Sequence, residues 1–594
     1  MAYQTPVDEI GFMLKSVAGL DRAMAEGLFP ELTDDLVDAI LQEAGRFATD
    51  AIAPLNEVGD REGARLVDGR VVTPTGWAGI YRRWAEAGWS ALAGPAEFGG
   101  QDLPKALHAA TMDIWNQASP AFAIAPTLSS GAVEAVLAHA DEALKATYLE
   151  PLVTGRWAGT MNLTEPQAGS DLGALRTRAE RAADGSYRIF GQKIFITYGD
   201  QDLTENIVHL VLARLPDAPP GTKGISLFLV PKVLVKDDGS LGAANDVTCR
   251  AVEHKLGLHA SPTCVMGYGD RGEGAVGYLI GEENRGLACM FTMMNNARLA
   301  VGLQGVGVAE RALQAASDYA RERTQGRAPG YTGEGMSPIV YHPDIKRMLL
   351  TMRGLTVAAR AIAYQCAIAL DRAERMEGEA AAHWQGRADL LTPVAKAFST
   401  DIGVEVASLG IQVHGGMGYI EETGAARHFR DARIFPIYEG TNGIQAIDLV
   451  MRKLPMGGGA VLSAWVDDLK ADAERVRGAN QPELASVGDR LSSAIEDLEA
   501  AARFLAEARA AGRDGEALAG ATPFLTLCGL TAGASALAVA AVLSAQQGAR
   551  ATAQRTLLAR FFAESLLGRT ASLRQGIEDG GDAIASASVD LLAG

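Results

Sequence analysis

The spacing of apolar residues changes twice along the 594-residue chain, and this change is the strongest constraint on its fold. From Asp34 to about Gly155, apolar residues recur every three or four positions, which indicates helices. Between about Trp157 and Glu282 they alternate in runs such as SYRIFGQKIFIT, separated by turn residues, which indicates strands. The helical period returns past Gly286. The pattern predicts a mostly helical α+β protein with a β domain in its middle.

A chain of this length should fold as several units, each with enough apolar surface for a core. A glycine-rich break, PMGGGAV at residues 455–461, divides the later helical sequence. The predicted segments are a helical appendage (1–36), an N-terminal helical domain (37–155), a middle β domain (156–285), a second helical domain (286–454) and an extra C-terminal helical domain (455–594).

The overall charge and the cysteines limit the classes of partner. The formal net charge is −18, so the general field of the protein repels nucleic-acid phosphates and anionic membrane surfaces. The five cysteines lie tens of residues apart, which fits neither a metal site nor a disulfide framework. The first residues lack a basic segment followed by an apolar run. We expect a cytoplasmic protein with no metal and no nucleic-acid partner.

One stretch, residues 517–549, has no charged side chain, and about 20 apolar residues suffice to cross a bilayer. It also contains Pro523, many Gly, Ser and Thr residues, and Gln546–Gln547. Small residues allow helices to pack closely. We therefore expect a buried helix pair here and no membrane insertion.

Two segments of the β domain carry residues that suit a polar cofactor. The stretch MNLTEPQAGSD places Thr164, Glu165 and Ser170 on one connection with a flexible glycine, Gly169. An ordinary turn explains the same composition. About thirty residues later, GQKIFITYGD sets the aromatic plane of Phe195 near the hydroxyl of Thr197. A simple core position for Phe195 is the alternative.

Two arginines and a glycine pair mark the second helical domain. Arg298 and Arg323 lie on one predicted helix, which at 1.5 Å per residue separates them by about 37 Å. At this distance they cannot both contact the same end of one ligand. If both contact such a ligand, Arg323 must reach one bound to a neighbouring subunit, which predicts an oligomer. In IQVHGGMGYI, Gln412 precedes Gly415–Gly416, which permits close backbone approach to a ligand. His414 stands without a Ser, Cys or metal pattern, so a structural role is favoured over catalysis.

The last candidate is Glu439, in FPIYEGTNGIQ. This carboxylate follows Tyr438 and precedes the turn-forming Gly440, and no Lys or Arg is adjacent to it in the sequence. Burial without a neutralising cation raises the pKa of a carboxyl group and suits it to act as a general base. An exposed loop carboxylate is the alternative.

Taken in order, the segments MNLTEPQAGSD, GQKIFITYG, HKLGLHASPT, NNARLAVGLQGVG, ARERTQGR, QVHGGMGYI and FRDARIFPIYEGTNGIQ resemble those of the acyl-CoA dehydrogenases, which are FAD flavoproteins. The resemblance spans about residues 37 to 452. It implies a helical domain, a β-barrel domain and a four-helix bundle that binds the flavin. It also implies oxidation of an acyl-CoA by FAD, transfer of electrons to an electron-transfer flavoprotein, and a homodimer or a dimer of dimers. The appendage and the helices after Leu454 resemble a longer bacterial branch, whose members include enzymes for 3-(methylthio)propanoyl-CoA.

The resemblance also implies roles for individual residues. Glu439 matches the catalytic base. Some family members place this glutamate at another position, which is Ala297 in this chain. Because alanine cannot act as a base, the assignment to Glu439 is strengthened. Phe195 stands where the family usually has tryptophan, Asn295 where it often has aspartate, and Gly443 where many members have glutamine. The positions that match flavin contacts are Met161, Leu163, Thr164, Phe195, Thr197, Thr441 and Gly443, with Arg323, Gln412 and Gly416 matching contacts to the FAD of a partner subunit; Ser170, Asn295, Arg298 and Gly440 match substrate positions.

The expected reaction removes the α-proton of a thioester with Glu439 and passes the β-hydride to the flavin, giving a trans-2-enoyl-CoA. The preferred substrate is 3-(methylthio)propanoyl-CoA, and other short or medium acyl-CoAs are close competitors. Two alternatives share the fold. An acyl-CoA oxidase would pass its electrons to oxygen, and a DNA-protecting flavoprotein would need a basic face that the overall charge disfavours.

Overall fold

The structure, a computed structural model, describes residues 3–479 and 481–593. About 64% of the protein is helical, and it combines an N-terminal helical domain, a middle domain with a closed β-barrel and C-terminal helical domains, which confirms the predicted fold class. The helices are α1 (Val7–Phe12), α2 (Leu20–Ala25), α3 (Asp34–Phe47), α4 (Ala53–Glu62), α5 (Trp77–Glu86), α6 (Lys105–Ala118), α7 (Pro120–His139), α8 (Glu142–Val153), α9 (Gly286–Glu322), α10 (Pro343–Arg375), α11 (Gly378–His414), α12 (Ala425–Ala432), α13 (Asn442–Asp448), α14 (Ala460–Arg477), α15 (Pro482–Ala510), α16 (Asp514–Ala519), α17 (Ala521–Leu543), α18 (Ala549–Ser565), α19 (Arg569–Ser586) and α20 (Val589–Ala593).

The strands lie between α4 and α9 in the chain. They are β1 (Arg65–Val67), β2 (Arg70–Val72), β3 (Trp157–Asn162), β4 (Arg178–Arg181), β5 (Tyr187–Thr197), β6 (Asn206–Arg214), β7 (Ile225–Pro231), β8 (Val233–Val235), β9 (Leu241–Ala244), β10 (Val247–Val252), β11 (Thr263–Tyr268) and β12 (Ala275–Ile280).

Chain contacts divide the protein into two compact units. The mixed unit comprises Arg46–Leu103 and Ala118–Ala297. The helical unit comprises the described residues up to Gly45, Pro104–Gln117, and those from Arg298 onward. The boundaries of the five predicted segments stay a prediction.

The barrel of the mixed unit closes through β5, which pairs antiparallel with β4, β11 and β12. From β12 the ring runs through β7 and β6, and β6 returns to β4 by a parallel bridge. β3 pairs in parallel with β6 along Trp157–Asn162. Inward side chains such as Ile189, Val211 and Phe228 form the barrel core because alternate residues of a strand face the same side. The pairing of β5 with β11 shifts register next to Phe195.

The long helices of the helical unit approach one another at glycines. A Cβ on Gly305 of α9 would lie 2.2 Å from the carbonyl oxygen of Ser399 on α11. A Cβ on Gly529 of α17 would lie 2.3 Å from the ring of Phe398, also on α11. Glycine is therefore required at both crossings. Gly305 allows α9, which carries Arg298, to pack closely on α11, which carries Lys396.

Most of the charge-free stretch forms one long helix, α17, between the end of α16 and the start of α18, so the expected buried helix pair is wrong. A single 23-residue helix fits the stretch because Pro523 lies in its first turn, where proline is tolerated. By length and composition alone, α7 and α17 are long and apolar enough to cross a membrane, but 78% and 89% of their most apolar windows are buried inside the protein. Both helices thus have the burial of core helices.

Candidate functional site

Glu439 lies on a tight turn of the helical unit between α12 and α13. Its φ is +56° and that of Gly440 is +81°, so two successive residues occupy the left-handed region. For a residue other than glycine, this conformation costs about 1 to 2 kcal/mol. Non-glycine residues held in this way are concentrated at functional sites. The positive φ of Glu439 therefore marks this turn as a candidate functional site independently of the sequence.

Hydrogen bonds to α11 hold the turn in place. Nζ of Lys396 donates to the carbonyl oxygen of Gly440 and to Oδ1 of Asn442, each at 2.9 Å. The amide of Asn442 donates to the carbonyl of Ala397 at 3.1 Å and to Asp401 at 2.8 Å. These bonds tie the turn to one rigid helix.

Thr441 completes the connection to α13. Its hydroxyl accepts a hydrogen bond from the backbone N–H of Ile444 at 3.2 Å, which caps the helix. This role occupies one acceptor site of the hydroxyl that the sequence predicts to contact a flavin. Gly443 is exposed on the first turn of α13, where a Cβ would meet only the Thr441 hydroxyl at 3.7 Å.

The carboxyl group of Glu439 is half-buried, and within the described chain no group donates a hydrogen bond to it. Burial raises its pKa to about 7, against the opposing charges of Lys396 and Arg298. The sequence-based picture of a carboxylate without a cation is therefore wrong, because tertiary packing brings two cations near it. Desolvation outweighs both, so the expected consequence, a raised pKa, agrees with the structure.

The side chains of Arg298 and Lys396 are both buried. Only 10% of the Arg298 side chain is exposed, and its Nη1 lies 3.8 Å from Oδ2 of Asp448. Lys396 is fully buried, and burial lowers its pKa to about 7, with Glu439 opposing the shift. The site thus places one carboxyl group and one amine that both titrate near neutral pH.

In the mixed unit, a buried ion pair organises the segment predicted to cradle a cofactor. Nζ of Lys193 on β5 lies 2.8 Å from Oε1 of Glu165 and donates to the carbonyl of Leu163 at 2.9 Å. The backbone N–H groups of Arg176 and Thr177 donate to the same carboxylate at 2.7 and 3.0 Å. Burial would raise the pKa of Glu165, but Lys193 and these donors lower it to about 2. Glu165 thus anchors this segment, because Lys193 and two backbone donors hold its carboxylate.

Phe195 is the prominent surface feature of this unit. Its side chain is 59% exposed although it lies on β5, and its φ is +59°. The simple core position is therefore wrong. The neighbouring candidates Leu163, Thr164 and Thr197 are half-buried and Met161 is buried, and the carbonyl of Thr197 accepts a hydrogen bond from Thr160 at 2.8 Å.

The two predicted substrate residues of the mixed unit are at its surface. Ser170 and Asn295 are exposed, on the loop after β3 and on α9 respectively. Ala297, which stands where some relatives carry the base, is 2% exposed. The buried methyl of this residue offers no base.

Arg323 and Gln412 lie at neighbouring helix ends in the helical unit. α9 runs without a break from Gly286 to Glu322, as expected, and Arg323 directly follows its last residue. The ring of His414 at the end of α11 stacks on that of Tyr319 near the end of α9, with centroids 4.5 Å apart. Gln412 and Gly416 are exposed there. His414 Nδ1 lies 2.7 Å from the carbonyl oxygen of Gly410, so one ring nitrogen has a partner within α11, and the structural role of His414 stays a prediction.

Lys396 and Lys193 are the functional-site residues that the sequence reading misses. Each sits among apolar or small residues, in PVAKAFST and GQKIFIT. A lysine at a position whose neighbours follow a buried pattern is the available signal, because lysine is almost never fully buried without a partner.

Models of known families match most of the chain. Three describe acyl-CoA dehydrogenases, as the N-terminal domain at residues 35–156, the middle domain at 160–270 and the C-terminal domain at 284–454. A fourth, acetyl-CoA dehydrogenase C-terminal like, matches 465–588. The chain belongs to the acyl-CoA dehydrogenase family and is an oxidoreductase of that class.

Individual relatives extend over the full length. The 3-methylmercaptopropionyl-CoA dehydrogenase of Ruegeria pomeroyi is 46% identical over 99% of this chain and 100% of its own. The broad-specificity linear acyl-CoA dehydrogenase FadE5 of Mycobacterium tuberculosis is 33% identical over 97% of both chains. A solved acyl-CoA dehydrogenase of Bacillus anthracis, complexed with FAD, superposes with a TM-score of 0.74 at 22% identity, covering 95% of this chain and 90% of its own. The last comparison supports the fold.

Proposed function

We propose that the protein dehydrogenates a short acyl-CoA thioester between Cα and Cβ, with Glu439 as the base. Loss of the α-proton to a Glu439 oxygen and of a hydride from Cβ turns the thioester into its trans-2-enoyl form. The observation that carries this proposal is the half-buried carboxyl group on a strained turn, with a pKa raised by burial to about 7. Such a group is ionised in an appreciable fraction at neutral pH and still binds a proton strongly enough to remove one from carbon.

The residues of the mixed unit fit the FAD that the family implies. The exposed ring of Phe195 offers an aromatic face on which a planar ring system could stack. Half-buried Thr164 and Thr197 supply hydroxyl groups beside it. FAD, when bound, supplies the acceptor for the hydride. Met161 and Leu163 would pack with Phe195 around the ring system.

We further propose 3-(methylthio)propanoyl-CoA as the preferred substrate and an electron-transfer flavoprotein as the acceptor. The 46% identity over the whole chain to the Ruegeria pomeroyi enzyme supports the substrate. Ser170, Asn295, Arg298 and Gly440 are proposed to contact it. Arg298 is suited to the vicinity of the thioester because it lies in the electrostatic range of Glu439.

A second copy of the chain is proposed to cover the end of α11. Gln412 and Gly416 are exposed there, next to three exposed apolar side chains, Met417, Tyr419 and Ile420. Tyr419 is 86% exposed. An exposed apolar cluster with polar neighbours is typical of a subunit interface. Arg323 and Gln412 would then contact the FAD of the partner.

The test of the base is Glu439→Gln in the flavin-loaded enzyme. This change keeps the size of the side chain and removes the proton acceptor, so kcat should fall at least about 10²-fold, as expected for the loss of a general base. The ratio of flavin to protein and the affinity for CoA serve as controls and should stay unchanged. An undiminished rate with full flavin would refute the proposed role.

The substrate and the acceptor need a separate experiment. Anaerobic titration with 3-(methylthio)propanoyl-CoA, butanoyl-CoA and longer straight-chain acyl-CoAs, followed by flavin bleaching, should show the strongest response to the first. Bleaching by long chains alone would contradict the substrate. Rapid peroxide formation in air without another acceptor would identify an oxidase instead.

A further inference from the structure

Lys396 is a fully buried lysine whose ammonium group faces the turn that carries Glu439. Its 0% exposure is unusual for a lysine, because transfer of a charge out of water is costly unless partners compensate it. Nζ donates hydrogen bonds to the carbonyl oxygen of Gly440 and to Oδ1 of Asn442, both at 2.9 Å. Both are neutral, so neither cancels the positive charge. A buried cation kept beside neutral acceptors calls for a further reason.

The turn itself needs to be held. Glu439 and Gly440 both have positive φ, and a Cβ on Gly440 would come 2.8 Å from Nε2 of Gln445. The Gly440 carbonyl bonded by Lys396 belongs to the residue directly after Glu439. Asn442, the other acceptor, also accepts from Thr400 at 3.2 Å and donates to Asp401 at 2.8 Å. Lys396 therefore ties the residues that directly follow Glu439 to α11.

The opposite charges that act on Glu439 come from α9, which carries Arg298, and from α11, which carries Lys396. Lys396 and Arg298 both favour the ionised carboxylate, and Lys396 has the larger effect. Arg298 is itself drawn toward Asp448, whose other oxygen lies 2.8 Å from Nε of Arg452. Among the nearby acids, Glu439 has the largest effect on the pKa of Lys396, ahead of Asp401, whereas Asp448 has a larger effect than Glu439 on the pKa of Arg298. The titratable and charged groups that act on Glu439 or on the groups next to it within the helical unit are Arg298, Lys396, Asp401, Glu405, Asp431, Arg433, Tyr438, Asp448 and Arg452.

We propose that Lys396 is a positioning residue for the reaction: it fixes the strained Glu439–Gly440 turn and supplies the charge that keeps the Glu439 carboxylate available as a base. This inference rests on the proposed role of Glu439. Its hydrogen bonds act on the geometry of the turn, and its charge acts on the ionisation of the carboxyl group. The two contributions can be separated by substitution.

Lys396→Gln and Lys396→Met in the flavin-loaded enzyme separate them. Glutamine keeps N–H donors without the charge, and methionine removes both. Without the cation, the acid limb of the kcat/KM profile should move up by about one pH unit in both variants, a loss of about tenfold below that limb. Lys396→Met should in addition lose activity at every pH. Lys453→Gln, which removes a lysine paired with Asp389 at 3.6 Å, is the matched control and should leave the profile unmoved.

A second readout follows proton removal without hydride transfer. Acetyl-CoA has no β-hydrogen, so exchange of its methyl protons in D₂O reports the base alone. At pH 7 this exchange should slow about fivefold in Lys396→Gln, and further in Lys396→Met. Equal exchange by wild type and Glu439→Gln would refute the proposed base itself. If Glu439→Gln abolishes exchange but both Lys396 variants keep the wild-type profile and rate, the inference about Lys396 is overturned. A uniform loss in Lys396→Met with no pH shift in either variant would overturn the part assigned to the charge.

Discussion

Replacing Glu439 by glutamine should stabilise the protein, and the gain should increase with pH. The pKa of this carboxyl group rises from 4.5 to about 7 on folding, chiefly through burial. Between these two values the folded chain keeps a proton that the unfolded chain has lost, so the contribution of Glu439 to stability falls as the pH rises. At 1.36 kcal/mol per pKa unit, the cost above pH 7 is about 3 kcal/mol. Glutamine has no proton to lose and avoids this cost.

Lys396 sets a limit to the gain. In the glutamine variant Lys396 loses an opposite charge, so its lowered pKa falls further and part of the benefit is lost. The figure of about 3 kcal/mol is therefore a ceiling, and about 2 kcal/mol of it should develop between pH 5.5 and pH 8.5. The backbone strain is unchanged, because glutamine at φ +56° pays the same penalty as glutamate.

Urea denaturation of the two proteins at intervals from pH 5.5 to 8.5, followed by helical circular dichroism, measures this difference. Glu422→Gln, at an exposed glutamate of the same unit, is the control for removing one negative charge. The midpoint of the Glu439 variant should rise above wild type as the pH increases, while the control follows wild type. A gain that is constant with pH, or a loss at pH 8.5, would refute the argument that burial sets the pKa of Glu439.

Two further variants test the anchors around the candidate site. Lys193→Met should leave the buried carboxylate of Glu165 without its ion pair and destabilise the protein by about 3 to 5 kcal/mol, seen as a lower melting temperature. Adding Glu165→Gln should recover much of that loss, and no recovery would argue against an unpaired charge as the cause. Gly440→Ala should lower kcat/KM at least about tenfold, because a Cβ meets Gln445 and φ is +81°. Unchanged kinetics would show that the turn tolerates this shift.

The order of helical and β domains follows from the sequence because it depends on local spacing. Apolar residues that recur every three or four positions form one face of a helix, and those that recur every two positions form one face of a strand. Either face packs inward, and this pattern does not depend on distant parts of the sequence. The strand pattern of SYRIFGQKIFIT became β5, which pairs with three other strands of the barrel. The exposed ring of Phe195 did not follow from alternation, because the register of β5 shifts there and φ turns positive.

The choice of Glu439 came from resemblance and from its sequence neighbours, and its role as the base stays a prediction. By itself the sequence determined that a carboxyl group stands at a glycine turn, because neighbouring residue types set what the backbone can adopt. It could not show Lys396, which lies 44 residues before Gly440, or Arg298 on another helix. Only the tertiary structure decided how burial and these two cations balance, because the pKa of a group depends on solvent and charge through space and not along the chain.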